Sequence, residues 1–352
     1  MVEHEQACSR SGNRSIKEYK SSLSASDLAI TLSRTMKIAR TRAIGRAFCS
    51  TANLGAGFDV FGLALNRYSD TVSAQITSGK NIRIIVRGRE GRNIPVAVTK
   101  NSAGPPALDL AKKAHLRKGL EIIVEKHVPQ GLGLGSSGAT AAACTKAVDH
   151  LLNLELPDNE LVQVASLGEK AVAGTAHADN VAASLLGGFV IVYDNPIRTI
   201  SVKPPANLAV VVVTPRLPPQ SEKTRKARKM IPGKITVKNA VLNLGRAAAM
   251  ATAFARSDIR MIGIGMEDAI AEPYRQHLIP GYRDAKRMGL EEGAAGVSIS
   301  GAGPSLVALV DQDSHEPGPI AKAMVRAFAR NNVRSNSFVT RPAAGASIVK
   351  GA

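Results

Sequence analysis

A glycine- and serine-rich loop, residues 129–138 with the sequence PQGLGLGSSG, lies between two apolar runs. The run before it, LEIIVEKHV, predicts a strand, and the run after it, ATAAACTKAVDHLL, predicts a helix. A helix N-terminus exposes unpaired N–H groups and the positive end of the helix dipole. Glycines let the backbone approach a ligand closely and adopt positive φ. The loop therefore predicts a phosphate site, in which the serine hydroxyls can contact a phosphate oxygen or a bound Mg²⁺.

The loop matches neither of two common nucleotide-binding motifs. It lacks the GK[ST] ending of a Walker A motif. Its glycine spacing differs from that of a dinucleotide fingerprint, and no clear acidic residue follows about 20 residues further on. A flexible turn before a helix is the alternative interpretation, and we favour phosphate binding over it.

Two further motifs accompany this loop. FCSTANLGAGFDVFGLAL spans residues 48–65, and GVSISGAGPSLVALV spans residues 296–310. With GLGSSGA between them, these segments resemble, in order, the three motifs of the GHMP kinases, the family of galactokinase and of homoserine, mevalonate and phosphomevalonate kinases. The resemblance covers essentially everything after Met36.

Within that family, the first motif and three other segments resemble the homoserine kinases. These segments are HADNVAASLLGGF, EDAIAEPYRQHLIPGY and SEKTRKARKMIP, which begin at residues 177, 267 and 221. The chain departs from the usual pattern where Ala56, Ala178 and Ala183 replace prolines and where Gly138 replaces a common alanine. None of these departures removes a functional side chain.

The resemblance implies an activity and a fold. The activity is transfer of the γ-phosphoryl group of ATP to the hydroxyl of L-homoserine, giving O-phospho-L-homoserine in threonine biosynthesis. The fold is α+β, with a ribosomal-S5-like N-terminal half and a ferredoxin-like C-terminal half, and a homodimer is expected. The alternatives are another GHMP kinase that acts on mevalonate or shikimate, and a basic nucleic-acid-binding protein.

The resemblance also assigns the residues that hold ATP and Mg²⁺. We expect Ser137 and Glu169 to be the protein ligands of Mg²⁺, a hard ion that prefers oxygen ligands. The alternative for Glu169 is a solvent-facing position on a helix. The residues expected at the ATP phosphates are Pro129, Gly131, Leu132, Gly133, Leu134, Gly135, Ser136, Ser137 and Gly138, together with Asn101, Gly301 and Gly303.

A small zwitterion needs cations for its carboxylate and an acid for its ammonium group. By resemblance, Arg228 and Arg275 bind the carboxylate, since guanidinium groups can bind it in a bidentate manner. Asp59 binds the ammonium group, and Asn53 and His177 contact the substrate. Three alternatives remain open: a turn-stabilising role for Asp59, a structural role for His177, and a solvated basic face for the KTRKARK run, in which Arg225 competes with Arg228.

The catalytic residues implied by the resemblance are Asn180, Ser137 and Glu169. The position of Asn180 holds an aspartate in mevalonate kinases and galactokinases, where it can act as a base. An amide cannot accept the proton, so we expect Asn180 to orient the substrate hydroxyl and the reaction to proceed without a dedicated base. Asp179 is the rival candidate for a base.

The elements around these motifs predict an α+β chain in two halves. Helical spacing marks ALDLAKKAHLRKG, with Gly119 as its stop, and also DNELVQVASLGEKAVAG, whereas LAVVVV predicts a buried strand. Strands and helices mix without regular alternation. We expect a disordered or non-native tail over residues 1–35, an ATP-binding domain over residues 36–200 and a C-terminal domain over residues 201–352.

Composition and charge argue against nucleic-acid binding and against a membrane-spanning protein, and the cysteines bear on the location. The 352 residues carry a formal net charge of +18. Because the basic residues are spread along the chain and aromatic residues make up only 3% of it, we favour steering of anionic substrates over nucleic-acid binding. No apolar run approaches a membrane span. The three cysteines have no metal-ligand or redox spacing, which indicates the cytoplasm.

Overall fold

The computed structural model describes residues 40–173, 178–218 and 223–349. The expected N-terminal tail and His177 lie outside the described residues. Residues from Arg40 onward form one compact unit.

The described residues form two β-sheets flanked by helices. The strands are β1 (Arg42–Asn53), β2 (Gly57–Thr77), β3 (Ile82–Arg87), β4 (Gly119–Glu125), β5 (Phe189–Val192), β6 (Thr199–Val202), β7 (Leu208–Pro215), β8 (Gly296–Ile299), β9 (Leu306–Asp311), β10 (Ser335–Thr340) and β11 (Ser347–Ile348). The helices are α1 (Gly104–Lys113), α2 (Ser136–Leu152), α3 (Asp158–Ala173), α4 (Ala178–Leu186), α5 (Lys223–Lys229), α6 (Val237–Arg256), α7 (Ile259–Ile264), α8 (Glu272–Arg275), α9 (Tyr282–Glu291) and α10 (Pro317–Arg330).

The first sheet has the strand order β11-β1-β2-β4-β3, and β5 joins β2 to β6. All of its pairs are antiparallel except β3 with β4, whose parallel connection contains α1. Helices α2 and α4 pack against β1 and β2. The C-terminal β11 pairs with β1, so the end of the chain returns to the first sheet.

The second sheet is antiparallel and has the order β10-β7-β9-β8. Its central strand β7 is buried on both faces, which explains its unbroken run of valines. Val210 and Val212 pack in a core shared with Leu63 of the first sheet. Val211 and Val213 pack in a second core with residues of α9 and α10.

These two sheets and their flanking helices confirm the predicted α+β class. One predicted boundary is wrong, because α1 ends at Lys113 and its carbonyls are capped from Ala114, well before Gly119. Gly119 is instead the first residue of β4. The first motif forms a hairpin, because its tight turn connects β1 to β2. Strand β2 has 21 residues and extends well beyond the motif.

Candidate active site

The phosphate loop, residues 129–137, enters α2 in a conformation that requires glycine. Gly133 and Gly135 have φ values of 78° and 61°, and Gly135 is the N-cap residue of α2. A Cβ at Gly133 would lie 2.1 Å from the Ser300 carbonyl oxygen, and one at Gly135 would lie 2.2 Å from Ser50 Oγ. The close approach of three chain segments therefore determines the shape of this loop.

The third motif holds the phosphate loop from the second sheet. Ser300 Oγ donates a hydrogen bond to the Gly133 carbonyl at 2.6 Å, and the Ser305 N–H donates to the Leu132 carbonyl at 3.3 Å. Asn53 Nδ2 donates to the Gly301 carbonyl at 2.8 Å. The three sequence motifs therefore converge at one place in the fold.

A buried polar cluster that sequence reasoning missed lies beneath the phosphate loop. Lys126 Nζ pairs with Asp70 Oδ2, and it also donates to the Ser136 carbonyl at 2.6 Å and to Thr140 Oγ1 at 2.9 Å. Asp70 Oδ1 accepts the N–H of Val128 at 2.9 Å. Burial lowers the pKa of Lys126, and the charge of Asp70 opposes that shift. In the sequence, the visible signal for this cluster is Lys126 itself, a charged residue that ends the apolar run three residues before the loop.

Charged side chains face the phosphate loop across a cleft. Arg228 of α5 pairs with Asp59, and both side chains are partly exposed. Arg275 of α8 is buried, and its guanidinium donates to the carbonyls of Gly301 at 3.1 Å and Ala227 at 3.3 Å. Burial lowers the pKa of Arg275, although a guanidinium remains protonated in proteins.

The ring of Phe58 lies against both arginines. The guanidinium carbons of Arg228 and Arg275 lie 5.2 and 5.1 Å from its ring centroid. Both distances are within the range of a cation–π interaction. Phe58 was not among the residues predicted from the sequence, although it lies next to Asp59 in the first motif.

Asp179 and Asn180 lie in the first turn of α4 and reach the same cleft. Asn180 Oδ1 accepts a hydrogen bond from Ser50 Oγ at 3.0 Å. The buried Asp179 carboxylate accepts the Asn180 N–H at 2.7 Å and its Nδ2 at 3.4 Å. Asn53 Oδ1 accepts the N–H of Asp59 at 3.1 Å, so Asn53 supports the turn of the first motif as well as facing the cleft.

Most of the predicted site residues line this single cleft. Glu169 of α3 is among them and is buried, so the alternative of a solvent-facing helical position is wrong. The lining residues are Asn53, Asp59, Gly131, Gly133, Leu134, Gly135, Ser136, Ser137, Glu169, Asp179, Asn180, Arg228, Arg275, Gly301, Ala302 and Gly303.

Of the predicted residues that the structure describes, four do not line the cleft. Pro129 is the first residue of the phosphate loop and lies outside the cleft lining. The side chain of Leu132 packs at the core, and Gly138 packs against the Asn180 backbone. The buried Asn101 is used within its own turn, where its Nδ2 donates to the Pro95 carbonyl at 2.7 Å and its Oδ1 accepts the Ala103 N–H at 2.9 Å.

The cleft offers oxygen ligands for a hard metal ion. The Ser137 side chain at the start of α2 and the Glu169 carboxylate both line it. Among the described residues there is no cluster of three or more His, Cys, Asp or Glu side chains that could hold a metal. Two protein ligands suit Mg²⁺, which keeps several waters and takes further oxygens from phosphates.

Over the same described ranges, no helix is long and apolar enough to cross a bilayer.

Comparison with known proteins identifies the family. The chain matches the GHMP kinases N terminal domain over residues 101–188 and the GHMP kinases C terminal domain over residues 250–330. It is 39% identical to a homoserine kinase of Aeropyrum pernix and 37% identical to one of Thermoplasma acidophilum, covering 89% and 85% of this chain and 100% and 94% of the relatives. The crystal structure of homoserine kinase from Cytophaga hutchinsonii matches with a TM-score of 0.81 and 32% sequence identity, over 88% of this chain and 98% of that one. The chain belongs to the GHMP kinase family, in the group of the homoserine kinases.

Proposed function

We propose that this protein is a homoserine kinase, which transfers the γ-phosphoryl group of ATP to the hydroxyl of L-homoserine and releases O-phospho-L-homoserine. The observation that carries the proposal is one cleft with two chemically different walls. A phosphate loop at the N-terminus of α2 forms one wall, and Asp59, Arg228 and Arg275 form the other. The first wall suits the phosphates of ATP, and the second suits a small zwitterion.

The backbone N–H groups of residues 131–137 would bind the ATP phosphates. Loop and helix together provide N–H groups and a positive dipole end that are held in place before the nucleotide arrives. Ser137 and Glu169 would hold Mg²⁺, which neutralises charge on the phosphates when it is bound. The Glu169 carboxylate is buried beside the loop, so a cation there would offset its burial.

The substrate would bind by opening the Asp59–Arg228 ion pair and pairing with both side chains in its place. This pair is partly exposed in the cleft, so its net contribution to stability is small and it can open at low cost. The ammonium group of homoserine would take Asp59, and its carboxylate would take Arg228 and Arg275. Mevalonate lacks the ammonium group, and binding it would leave Asp59 with only protein partners.

Proton removal from the substrate hydroxyl would not require a side-chain base. Asn180 is an amide and would orient the hydroxyl through its Nδ2 while its Oδ1 accepts from Ser50. The Asp179 carboxylate accepts the N–H of Asn180, so it supports the helix start on which Asn180 stands. The proton would leave to a phosphate oxygen or to solvent, and positioning and charge neutralisation would account for most of the rate.

A coupled ADP-release assay tests the proposal. We expect ADP release that requires both Mg²⁺ and L-homoserine, with far slower turnover of mevalonate, shikimate and galactose. Turnover of mevalonate or shikimate above that of homoserine would contradict the substrate assignment. Salt-sensitive binding to duplex DNA without ATP turnover would instead support the nucleic-acid alternative.

The assembly would be a homodimer formed through α6. The first half of this helix exposes apolar side chains on successive turns, at Val237, Val241 and Leu244. An apolar stripe of this kind suits self-association about a two-fold axis, because the same surface then covers itself.

The proposed domain boundary and location rest on separate observations. The boundary would lie near residue 200, between the regions that match the two family domains. The location would be the cytoplasm, where Cys49 and Cys144 remain reduced. Both thiols are buried, and burial raises the pKa of Cys144 to about 12, which suits inert core residues.

A further inference from the structure

A buried acid–base cluster lies beside α8, the short helix that carries Arg275. Lys286 of α9 contacts Glu272 through a 3.1 Å Nζ–Oε1 distance and Glu267 through a 3.0 Å Nζ–Oε1 distance. Glu272 is buried, whereas Glu267 is partly exposed. Asp268 accepts the backbone N–H of Glu272 at 2.7 Å and so caps the start of α8. None of the roles assigned above uses this cluster.

Glu272 and Arg275 hold the same stretch of chain. Glu272 Oε2 accepts the N–H of Ile299 at 3.3 Å, at the end of β8. Two residues later, the Gly301 carbonyl accepts a hydrogen bond from Arg275 at 3.1 Å. Both side chains come from one helix of four residues. Movement of Glu272 away from β8 would therefore move the guanidinium relative to Gly301.

We propose that Glu272 is a positioning residue for Arg275, which it holds in the substrate-binding orientation by fastening α8 to β8 and to Lys286. The inference rests on the proposed role of Arg275 at the substrate carboxylate.

The position requires an ionised carboxylate. Each oxygen of Glu272 faces a donor, Lys286 Nζ at Oε1 and the Ile299 N–H at Oε2. A carboxylate accepts at both oxygens, whereas a glutamine or a protonated acid presents a hydrogen to one of the two donors. Either change would therefore break one of the two attachments of α8.

The surroundings make this requirement sensitive to pH near neutrality. Burial raises the pKa of Glu272 to about 7, Lys286 and the Ile299 N–H oppose the rise, and the nearby Asp268 adds to it. Other charged groups also lie around the cluster. Glu267 shares Lys286, and its carbonyl accepts a hydrogen bond from Arg246, while Arg275 lines a small cavity together with Glu272. Arg283 and Arg287 bond to Gln276 and Glu291. As the pH rises through this pKa, the carboxylate forms and the KM for homoserine should fall.

The stability of the folded protein is expected to fall over the same pH range in which the affinity for homoserine rises. The pKa of Glu272 in the folded protein is raised above its ordinary value of 4.5. The contribution of the protonated Glu272 to stability is therefore fully present below pH 4.5, and it is lost as the pH rises through about 7. Glu272→Gln removes the cost of a buried charge and leaves Lys286 paired with Glu267. The variant should therefore keep its melting temperature in weakly alkaline buffer while it loses substrate affinity.

Steady-state kinetics of Glu272→Gln across pH 6 to 8, roughly the range in which this carboxyl titrates, test the inference. We expect the KM for L-homoserine at the alkaline end to rise about ten-fold, with the KM for ATP within about two-fold of wild type. The fall in the homoserine KM through neutral pH should disappear in the variant. Glu291→Gln, an exposed partner of Arg287 on α9, is the matched control and should leave all of these quantities unchanged.

An unchanged homoserine KM, or a parallel rise in both KM values with a lower melting temperature, would overturn the inference. If Glu272→Gln does not fold, Lys286→Met provides the second test, since it removes one attachment and leaves Glu272 with Ile299. It should raise the homoserine KM and move its pH inflection upward, and no change in either would also overturn the inference. Turnover of homoserine by the wild type tests the proposed function separately.

Discussion

Phe58 shows how a single residue can organise a charged site. Its ring lies about equally far from the two guanidinium groups that would bind the substrate carboxylate. It also precedes Asp59, which has a positive φ of 58°. Each guanidinium is attracted to the ring, and this attraction offsets part of the repulsion between the charges of Arg228 and Arg275.

Phe58→Leu should raise the KM for homoserine about five-fold and leave the KM for ATP unchanged, because two cation–π contacts are lost on the substrate side only. Phe48→Leu is the matched control, since Phe48 has the same kind of contact with Arg46 on β1. Steady-state kinetics with each substrate varied in turn measure both values. Equal effects of the two substitutions would contradict the role given to Phe58.

The buried Lys126–Asp70 pair should be a strong determinant of stability. Lys126→Met leaves Asp70 buried without its cation, and loss of one partner of a buried pair costs about 3–5 kcal/mol. The pair of Lys113 and Glu160 is partly exposed, so Lys113→Met should cost about 1 kcal/mol or less. Urea unfolding of the two variants measures the difference, and similar losses would show that Lys126 has no special role beneath the loop.

At the scale of elements, the three motifs depend on each other. The phosphate loop is held by Ser300 of the third motif and by its approach to Ser50 of the first. The sequence predicted the strand, loop and helix of this site because local spacing encodes them. It could not predict the Lys126 cluster, because hydrogen bonds between residues far apart in the chain determine it. It also missed the role of Asn101, whose amide is used by hydrogen bonds within its own turn and not at the cleft.

Substitutions at two glycines of the phosphate loop should have different costs, because one position is crowded by neighbouring segments and the other is not. Gly131 and Gly133 have φ values of 69° and 78°, but only Gly133 has neighbours that a Cβ would meet. Gly131→Ala should cost about 1–2 kcal/mol of backbone strain and retain ATP turnover. Gly133→Ala should abolish detectable ATP binding, because a Cβ would force the loop away from Ser300. Calorimetric titration with an ATP analogue compares them, and equal affinities would contradict this account of the loop.

At the scale of the whole molecule, the sheets place the two walls of the cleft. The second sheet carries the third motif and the first sheet carries the first, and their shared core includes residues of both. The two-half α+β fold was predictable from the motifs and the mixed elements. The return of β11 to β1 was not, because a strand of two residues leaves no periodic signal.

Substitutions on the exposed face of α6 test the proposed dimer. Val241→Glu together with Leu244→Glu should convert the dimer to a monomer, because charges would be buried in an apolar contact. Val96→Glu, at an equally exposed valine in a loop, should leave the assembly unchanged. Light scattering after size-exclusion chromatography measures the mass, and a mass unaffected by the double substitution would show that α6 is not the interface.

The positions of the two substrates in the cleft decide most directly whether its two walls have the proposed roles. A crystal structure with a non-hydrolysable ATP analogue, Mg²⁺ and L-homoserine measures these positions. We predict the terminal phosphates against the N–H groups of Gly133 to Ser137, and the homoserine carboxylate between Arg228 and Arg275 with its hydroxyl directed at the γ-phosphate. Phosphates bound away from the start of α2, or homoserine bound away from the two arginines, would contradict the proposed roles.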